Sequence, residues 1–357
     1  MPPTPEPYDA GPVAALRRIA FLLERSRAET YKVKAFRSAA ATVLPLPTDE
    51  LERRVAEGTL KELPGIGAST ASVISEAVEG RTPERLAKLE RETGGRLVDG
   101  GDTIRAALRG DLHSHSDWSD GGSPIEEMAF TAMELGHDYL VLTDHSPRLT
   151  VANGLSVARL TKQLGVVDAV NQHLGDGGFR LLKGIEVDIL DDGELDQTDE
   201  MLDRLDVRVA SVHSKLRMDK AGMTRRMVAA ARNPRVNVLG HCTGRLVTGG
   251  RGTRPQSEFD AKAVFEACAE NDTAVEINAR PERRDPPGAL IELARDLGCL
   301  FSIDSDAHAP GQLDFQIYGC ARAEEHGIEP DRIINTWAMD RLLAWSERAI
   351  PKRAKRA

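Results

Sequence analysis

Residues 111–121 read Asp-Leu-His-Ser-His-Ser-Asp-Trp-Ser-Asp-Gly, and this stretch guides the interpretation of the whole chain. His113 and His115 stand two apart in a short run after Gly110, and on a β-strand such residues face the same side. Two neighbouring imidazoles fill a core poorly and make a good half of a metal site. Asp120 follows in a turn-prone segment, so its carboxylate can fold back over the strand end. The stretch predicts a strand ending at a metal site, with a pair of surface histidines as the alternative.

Short apolar runs of β-type composition predict buried strands along the rest of the chain, and most of the intervening stretches read as helix. Almost every predicted strand ends in a side chain that can bind a metal, about one β/α unit apart. In a β/α barrel these strand ends converge on one mouth, where the chemistry takes place. The predicted strands are residues 110–115, 138–145, 179–188, 207–214, 236–243, 274–280 and 299–306.

Composition restricts the class of protein. A chain of 357 residues suits two domains, and 41% hydrophobic with 29% charged residues is typical of a globular protein. No apolar run approaches 18 residues, so no membrane span is predicted, and the N-terminus lacks the pattern of a secretion signal. The four cysteines are scattered and read as reduced, which favours a cytoplasmic protein. A net charge of −9 neither supports nor excludes a nucleic-acid partner.

The pattern of residues 13–92 is helical throughout, with basic residues clustered over its first two helices. A glycine turn at residues 63–67 leads into a helix at 68–79, and such a turn presents backbone N–H groups to an anion. This arrangement can hold a DNA phosphate without reading bases, although it can also be a plain connector between helices. The candidate DNA contacts are Lys32, Lys34, Arg37, Gly65, Ile66 and Gly67.

Residues 13–92 resemble the small N-terminal helical domain of family X DNA polymerases, through segment 31–40 and the turn at 63–67. Residues 110–345 resemble the PHP (polymerase and histidinol phosphatase) domain, above all the version fused to bacterial family X polymerases. No segment resembles the nucleotidyltransferase palm and fingers of that family. The motifs that carry the PHP resemblance are, in order, residues 111–121, 143–146, 184–188, 211–214, 240–241, 276–279 and 304–308.

The resemblance implies an α/β fold, a distorted seven-stranded TIM-like barrel, with three divalent metal ions and a small all-helical domain. Zinc, manganese and iron all suit carboxylates combined with imidazoles. Glu186 would bridge two of the ions, and Glu186, Asp306 and His308 would be catalytic. By motif, one ion is expected at His113, His115, Glu186 and Asp306, a second at Glu186, His213 and His241, and a third at Asp120, His145 and His308.

Further side chains are candidates for binding a substrate phosphate. On the sixth strand Glu276, Asn278 and Arg280 alternate and so share one face, which suggests support of the metal ligands or contact with phosphate. Each arginine or lysine among the candidates can instead be an ordinary surface charge. The candidates are Arg148, Lys215, Asn278, Arg280 and Arg284.

The domain organisation expected from these patterns has five parts. They are a proline-rich tail at 1–12, the helical domain at 13–92, a linker at 93–109, the barrel at 110–345 and a basic tail at 346–357. The basic tail can contact nucleic acid or be disordered.

Three function classes follow. The first is a metal-dependent phosphoesterase that hydrolyses phosphodiester bonds of DNA, as a 3′–5′ exonuclease or a 3′-end processor in repair, with DNA as its partner. The second is a phosphomonoesterase for a small metabolite such as histidinol phosphate, because a barrel does not decide the substrate. The third is a non-catalytic DNA-binding protein. Polymerase relatives with lyase activity carry a lysine in the helix after the glycine turn, and residues 69–73 contain none, so lyase activity is not expected.

Overall fold

The computed structural model describes residues 9–175, 177–249 and 252–347. The chain divides into two compact units, Met1–Arg96 and Leu97–Ala357. Most of the predicted proline-rich tail and nearly all of the predicted basic tail lie outside the described residues. No helix in the described ranges is long and apolar enough to cross a membrane.

The first unit is helical over its described residues. Leu16, Ile19 and Leu22 recur at helical spacing on the first helix and are fully buried against its neighbours. Its helices are α1 (Gly11–Arg25), α2 (Thr30–Val43), α3 (Thr48–Glu57), α4 (Ala68–Val78) and α5 (Glu84–Thr93).

The glycine turn joins α3 to α4 through a short 3-10 turn, Leu60–Glu62. Gly65 has a φ of 75°, which is the left-handed region where glycine alone avoids a steric penalty. A Cβ on Gly65 would lie 3.2 Å from Oγ of Ser38 on α2, so the turn sits directly on that helix. Thr42 Oγ1, one helical turn further along, donates a 2.9 Å hydrogen bond to the carbonyl oxygen of Pro64. The turn is therefore fixed against one face of α2.

The second unit contains a sheet of parallel strands in chain order, seven of them within the described residues. The strands are β1 (Gly110–Ser114), β2 (Tyr139–Leu142), β3 (Arg180–Asp188), β4 (Val207–Ser211), β5 (Val238–Leu239), β6 (Ala274–Asn278) and β7 (Phe301–Asp304). Nearly all their residues are buried, as expected for a sheet covered on both faces. The predicted fold class, a seven-stranded β/α barrel with an all-helical N-terminal region, is confirmed.

Helices cover the outside of the sheet. The helices are α6 (Asp102–Ala107), α7 (Ile125–Glu134), α8 (Val157–Leu174), α9 (Asp199–Leu202), α10 (Lys220–Ala231), α11 (Ala261–Glu270), α12 (Gly288–Asp296), α13 (Gln316–Glu325) and α14 (Met339–Ser346). Most strands are shorter than predicted at their carboxyl ends, because the polar residues there leave the ladder and turn into the barrel mouth. The second strand, for example, ends at Leu142, ahead of His145.

Side chains help to close the barrel between β1 and β7. The N–H of Leu112 donates to Oδ1 of Asp304 at 3.0 Å, and the N–H of Ser305 donates to Oδ1 of Asp111 at 3.2 Å. Asn335 Nδ2 donates to the carbonyl oxygens of Gly110 and Ile303 at 3.2 and 3.0 Å. Carboxylate and amide groups thus stand in for part of the strand ladder. This closure brings the first and last strand ends, with their metal-binding candidates, to the same mouth.

Candidate metal centre

A pocket of about 540 Å³ lies at the carboxyl ends of the strands. Glu186 lies within β3, while His213 and His241 each follow a strand by two residues. His241 has a φ of 20° and Asp306 a φ of 50°, and strained backbone of this kind is typical of functional sites. The pocket is lined by Asp120, His145, Leu149, Val151, Ala152, Glu186, Val212, His213, His241, Leu246, Thr253, Arg254, Arg280, Arg283, Asp306 and His308.

Glu186 lies at the centre of the site and is 1% exposed. Its Oε1 is 3.1 Å from Nε2 of His213 and 2.8 Å from Nε2 of His241. Its Oε2 faces a different group, at 3.4 Å from Nε2 of His113 and 3.6 Å from Nε2 of His115. The two oxygens of one carboxylate therefore face two separate sets of imidazoles, as a bridging ligand would.

Asp120 lies next to a third set of imidazoles, those of His145 and His308. Its Oδ1 lies 3.5 Å from Nε2 of His145 and 3.4 Å from Nε2 of His308. His145 also approaches Glu186, with 2.9 Å between Nδ1 and Oε2, so the third set adjoins the other two. The groups whose donor atoms lie close enough to share one ion are His115 with Asp120, His145 and His308, then His113 with His115 and Asp306, and then His145 with Glu186 and His213.

Asp306 connects the metal candidates to the substrate candidates. Its Oδ1 is 3.5 Å from Nε2 of His115, and its Oδ2 accepts hydrogen bonds from Asn278 Nδ2 and Arg283 Nε, both at 3.1 Å. Arg280 Nη1 donates to the carbonyl oxygen of Asp306 at 3.2 Å. The carboxylate is thus held from two sides, with one oxygen left toward the histidines.

Buried carboxylates orient the imidazoles from behind. Glu276 Oε1 lies 2.6 Å from Nδ1 of His113, and its Oε2 accepts the backbone N–H of His241 at 2.5 Å. Asp188 Oδ1 accepts the backbone N–H of His213 at 3.1 Å and lies 3.3 Å from its Nδ1. A carboxylate on Nδ1 fixes the tautomer of a histidine and leaves Nε2 for a metal.

The charges in the site depend strongly on one another. Burial opposes ionisation of Glu186, but the charges of His213, His113 and His145 outweigh it and hold the pKa of Glu186 well below its usual range. Burial likewise opposes a charge on His145, yet Glu186 and Asp120 raise its pKa to about 10. For His115 burial prevails, assisted by His308 and His145, and lowers the pKa to about 3. Buried carboxylates here need positive charge beside them, which divalent cations supply.

The donor atoms fit metal ions. The Nε2 atoms of His113 and His115 are buried without a hydrogen-bond partner among the described residues. A buried imidazole nitrogen without a partner costs free energy unless something else binds it. Histidine nitrogens and carboxylate oxygens that converge in one pocket are the ligands zinc, manganese and iron take.

Of the predicted phosphate contacts, Arg280 alone is among the described residues that line the metal pocket. Arg280 lines the pocket and lies 2.9 Å, through Nη1, from Nδ1 of His308, while Asn278 is buried behind Asp306. Arg284 lines a different cavity of about 730 Å³, which also includes Arg280 and Asn278. Arg148 and Lys215 are exposed and absent from the described lining of the metal pocket.

Local contacts explain those two positions. The backbone N–H of Arg148 donates to Asp196 at 2.6 Å, and Lys215 pairs with Asp191. Sequence reasoning missed Arg254 and Arg283, which do line the pocket. Arg283 and Arg284 are adjacent in the chain, so nothing in the sequence distinguished them, and Arg254 follows a glycine-rich loop without periodicity.

The DNA candidates of the first unit also differ in their surroundings. Lys34 is exposed and, four residues before Ser38, lies on the face of α2 that meets the glycine turn. Lys32 is exposed and pairs with Glu29 at 2.9 Å. Arg37 is half-buried and binds the buried Glu24 at 2.7 Å, so its guanidinium joins α2 to α1. Of the turn, Gly65 and Gly67 are exposed, whereas Ile66 is 7% exposed.

A parallel β/α barrel with clustered imidazoles and carboxylates at its mouth defines a class of metal-dependent hydrolases. Residues 111–280 match the family model of the PHP domain, and residues 10–83 match that of a helix-hairpin-helix domain. Both predicted resemblances are confirmed.

Relatives agree with this assignment. The chain is 36% identical over 262 residues to the DNA polymerase/3′-5′ exonuclease PolX of Bacillus subtilis. The matched region is 72% of this chain and 45% of that relative. The chain therefore spans under half the length of that protein. It is 29% identical over 237 residues to the "Probable phosphatase YcdX" of Escherichia coli, which covers 63% of this chain and 89% of the relative. These matches support the predicted enzyme class, a metal-dependent hydrolase.

A solved structure is also similar. Histidinol phosphate phosphatase from Lactococcus lactis, complexed with zinc, L-histidinol and phosphate, superposes with a TM-score of 0.46 at 16% identity, covering 62% of this chain and 95% of that one.

Proposed function

We propose that the protein is a metal-dependent phosphoesterase that hydrolyses phosphodiester bonds of DNA, as a 3′–5′ exonuclease or in 3′-end processing. One observation carries the proposal. A site in which Glu186 faces two imidazole sets, edged by arginines, belongs to the same chain as a helix-hairpin-helix domain. The first feature suits phosphoester hydrolysis, and the second suits a DNA backbone.

The proposed ligands form three sets around Glu186. When bound, divalent ions lower the pKa of a water and neutralise charge on a phosphoryl group. The structure supports two of the sets through the separate oxygens of Glu186 and the third through Asp120. The ligands proposed for three ions of zinc, manganese or iron are His113, His115, Asp120, His145, Glu186, His213, His241, Asp306 and His308.

Arginines supply the contacts to the substrate phosphate in this proposal. Arg254, Arg280 and Arg283 all line the pocket, and a guanidinium can bind two phosphate oxygens at once. Arg280 and Arg283 are both anchored on Asp306, which holds their charges beside the metal ligands. Hydrolysis would break the bond from phosphorus to the 3′ oxygen of the preceding nucleotide.

The helix-hairpin-helix domain is proposed to bind the DNA backbone. Lys34, on the face of α2 that meets the exposed turn at Gly65, would contact a backbone phosphate, while the N–H of Gly67 already donates to Oγ1 of Thr70 at 2.9 Å. Such contacts bind phosphates and carry no base information, so the sequence preference of the enzyme should be weak.

A second candidate is a phosphomonoesterase of the histidinol phosphatase type. The coverage of the probable phosphatase relative favours it, because this chain spans 89% of that protein. The helix-hairpin-helix domain has no role in that reaction. Both candidates require the same metal ligands, and only the substrate separates them.

Turnover of two substrates tests the proposal. A single-stranded oligonucleotide labelled at its 5′ end and histidinol phosphate are incubated with the full chain and Mn²⁺. We expect a ladder of labelled fragments shortened from the 3′ end, and a rate about a thousandfold lower for Glu186→Gln, equivalent to about 4 kcal/mol of barrier. Hydrolysis of histidinol phosphate without any ladder would overturn the DNA proposal in favour of the second candidate.

A further inference from the structure

An exposed valine stands at the edge of the metal pocket. Val151 is 93% exposed, yet it lines the pocket together with Leu149 and Leu246, which are half-buried. Burying a valine side chain stabilises a protein by about 1.5 kcal/mol or more, and the exposed Val151 does not make this contribution to folding. We call Leu149, Val151 and Leu246 the apolar shelf.

The loop that carries Val151 is held in one conformation by backbone hydrogen bonds. The N–H of Leu155 donates to the carbonyl of His145 at 2.7 Å, which closes the loop at its base. Within it, the N–H groups of Ala152 and Gly154 both donate to the carbonyl of Leu149, at 3.0 and 3.1 Å. A Cβ at position 154 would lie 1.9 Å from the carbonyl oxygen of Ser146, so only glycine allows the loop to close. Val151 is therefore held in place at the mouth.

The loop is also anchored from outside. Asn153 has a φ of 55°, and its Nδ2 donates to the carbonyl of Trp118 at 3.2 Å. Arg159 of α8 donates to the carbonyl of Asn153 at 2.6 Å. These contacts connect the loop to the segment that carries Asp120, so the position of the shelf is tied to that of a proposed metal ligand.

Positive charge lines the same pocket. Arg254 pairs with Leu246 through two backbone hydrogen bonds of 2.9 Å in an isolated antiparallel bridge, so a cation and an apolar side chain enter the pocket next to each other. Arg280 and Arg283 add two more guanidinium groups beside Asp306. A ligand that satisfies both features carries an anion next to a flat apolar face.

The volume of the pocket narrows the class of ligand. About 540 Å³ is far more than one phosphate needs and lies in the range of pockets that hold organic ligands. A nucleotide has the required combination, a phosphate joined through a sugar to a base whose faces are apolar. Aliphatic side chains pack well against such faces, and this contact does not depend on which base is present.

We propose that the apolar shelf binds the base of the terminal nucleotide of a DNA strand, while Arg254, Arg280 and Arg283 contact its 5′ phosphate. This inference rests on the proposed DNA phosphodiesterase function and names the subsite that selects a nucleotide over a simple phosphate ester. An end whose base is unpaired fits the shelf, because the terminal base of a duplex is paired with the opposite strand and stacked on its neighbour. The enzyme should therefore prefer single-stranded or frayed ends.

Two chromogenic diesters with one leaving group test the shelf. Thymidine 5′-(p-nitrophenyl phosphate) and methyl p-nitrophenyl phosphate both release p-nitrophenol, and only the first carries a nucleoside. The measured quantity is the ratio of kcat/KM for the first to that for the second, with the full chain and Mn²⁺. For Val151→Ser we expect this ratio to fall about fivefold to tenfold, since two methyl groups are removed from the contact.

Two further variants act as controls. Val151→Leu keeps an apolar side chain and should keep the ratio, whereas Val157→Ser changes a valine that is 43% exposed on α8 outside the described pocket lining and should match the wild type. The shelf is refuted if Val151→Ser leaves the ratio within twofold of the wild type. It is equally refuted if Val151→Leu falls as far as Val151→Ser, because the loop and not the contact would then be responsible.

Failure of the proposed function has a different signature. If the wild type releases p-nitrophenol from neither diester and leaves oligonucleotides intact, the phosphodiesterase proposal is wrong. Calorimetric titration of the full chain with thymidine 5′-monophosphate and with methyl phosphate, both with Mn²⁺, then decides the shelf. Tighter binding of the nucleotide that Val151→Ser abolishes supports the shelf, and equal affinities overturn it.

Discussion

Nδ1 of His113 lies 2.6 Å from Oε1 of Glu276, and both side chains are fully buried. The same carboxylate accepts the backbone N–H of His241 through Oε2 at 2.5 Å. One residue of β6 thereby orients the imidazole of His113 on β1 and fixes the backbone of His241 just after β5, and it leaves Nε2 of His113 directed at Glu186. Glu276 is thus the positioning residue for two of the proposed metal sets.

Replacing Glu276 tests this role. For Glu276→Gln we expect a loss of metal affinity and activity of about 10-fold to 100-fold, because the amide no longer accepts on both oxygens and the tautomer of His113 is no longer fixed. Metal content by plasma mass spectrometry and the rate against added Mn²⁺ measure the effect. Glu292→Gln is the matched control, since Glu292 Oε1 lies 3.0 Å from Nδ1 of His326 at the surface. If both variants behave alike, Glu276 has no special role.

Asp144 holds the loop that carries Asp120. Its carboxylate accepts the N–H and Oγ of Ser116, at 2.9 and 2.6 Å, and Nε2 of Gln163 at 2.5 Å. For Asp144→Ala we expect the ion proposed at Asp120, His145 and His308 to be lost first, with about one metal fewer per chain and a fall in activity. The expectation fails if the metal content drops to zero or stays unchanged while circular dichroism shows a folded protein.

His137 should make stability depend on pH. It is 4% exposed, and burial together with the charge of Arg105 lowers its pKa to about 3, whereas an unfolded chain has an ordinary histidine near 6.5. The unfolded state therefore binds the proton between these values and the folded state does not. The contribution of neutral His137 to the free energy of unfolding is fully present above about pH 6.5 and is lost as the pH falls toward 3. Between pH 7 and pH 5 the free energy of unfolding should fall by about 2 kcal/mol from this source.

Denaturant unfolding at both pH values measures this contribution. We expect the free energy of unfolding of His137→Leu to fall by about 2 kcal/mol less than that of the wild type between pH 7 and pH 5, whatever the stability of the variant at pH 7. His173→Asn, at an exposed position of α8, should keep the wild-type difference. Equal differences in all three proteins would show that His137 titrates normally in the folded state.

Lys34 should contribute to DNA affinity through phosphate contact alone. The plot of log affinity for a single-stranded oligonucleotide against log salt concentration should become shallower by about 0.7 in Lys34→Ala, as expected for one lost phosphate contact. The loss should be alike for different base sequences. Lys88→Ala removes a lysine that is 65% exposed on α5 and should leave the slope unchanged. Matching slopes for Lys34→Ala and the wild type would remove Lys34 from the DNA contact.

Local patterns accounted for the strands and for the candidate ligands. The sequence shows the alternation of His113 and His115 and the metal-binding residues at positions 145, 186, 213 and 241. These are visible because the two-residue period of a strand and the length of a β/α unit are local properties of the chain. The element ends were less predictable. The fifth strand was expected over 236–243 and pairs only at Val238–Leu239, since His241 turns into the pocket with a positive φ.

The sequence by itself determined the barrel, the helical N-terminal region and a set of side chains at the strand ends, because these depend on periodicity and on motifs within short segments. Only the tertiary structure decided which groups face each other. It directed the two oxygens of Glu186 to different imidazoles, selected Arg283 over Arg284 for the pocket, and bound Arg37 to Glu24. These choices depend on where loops and strands distant in the chain converge, and that convergence has no local signature.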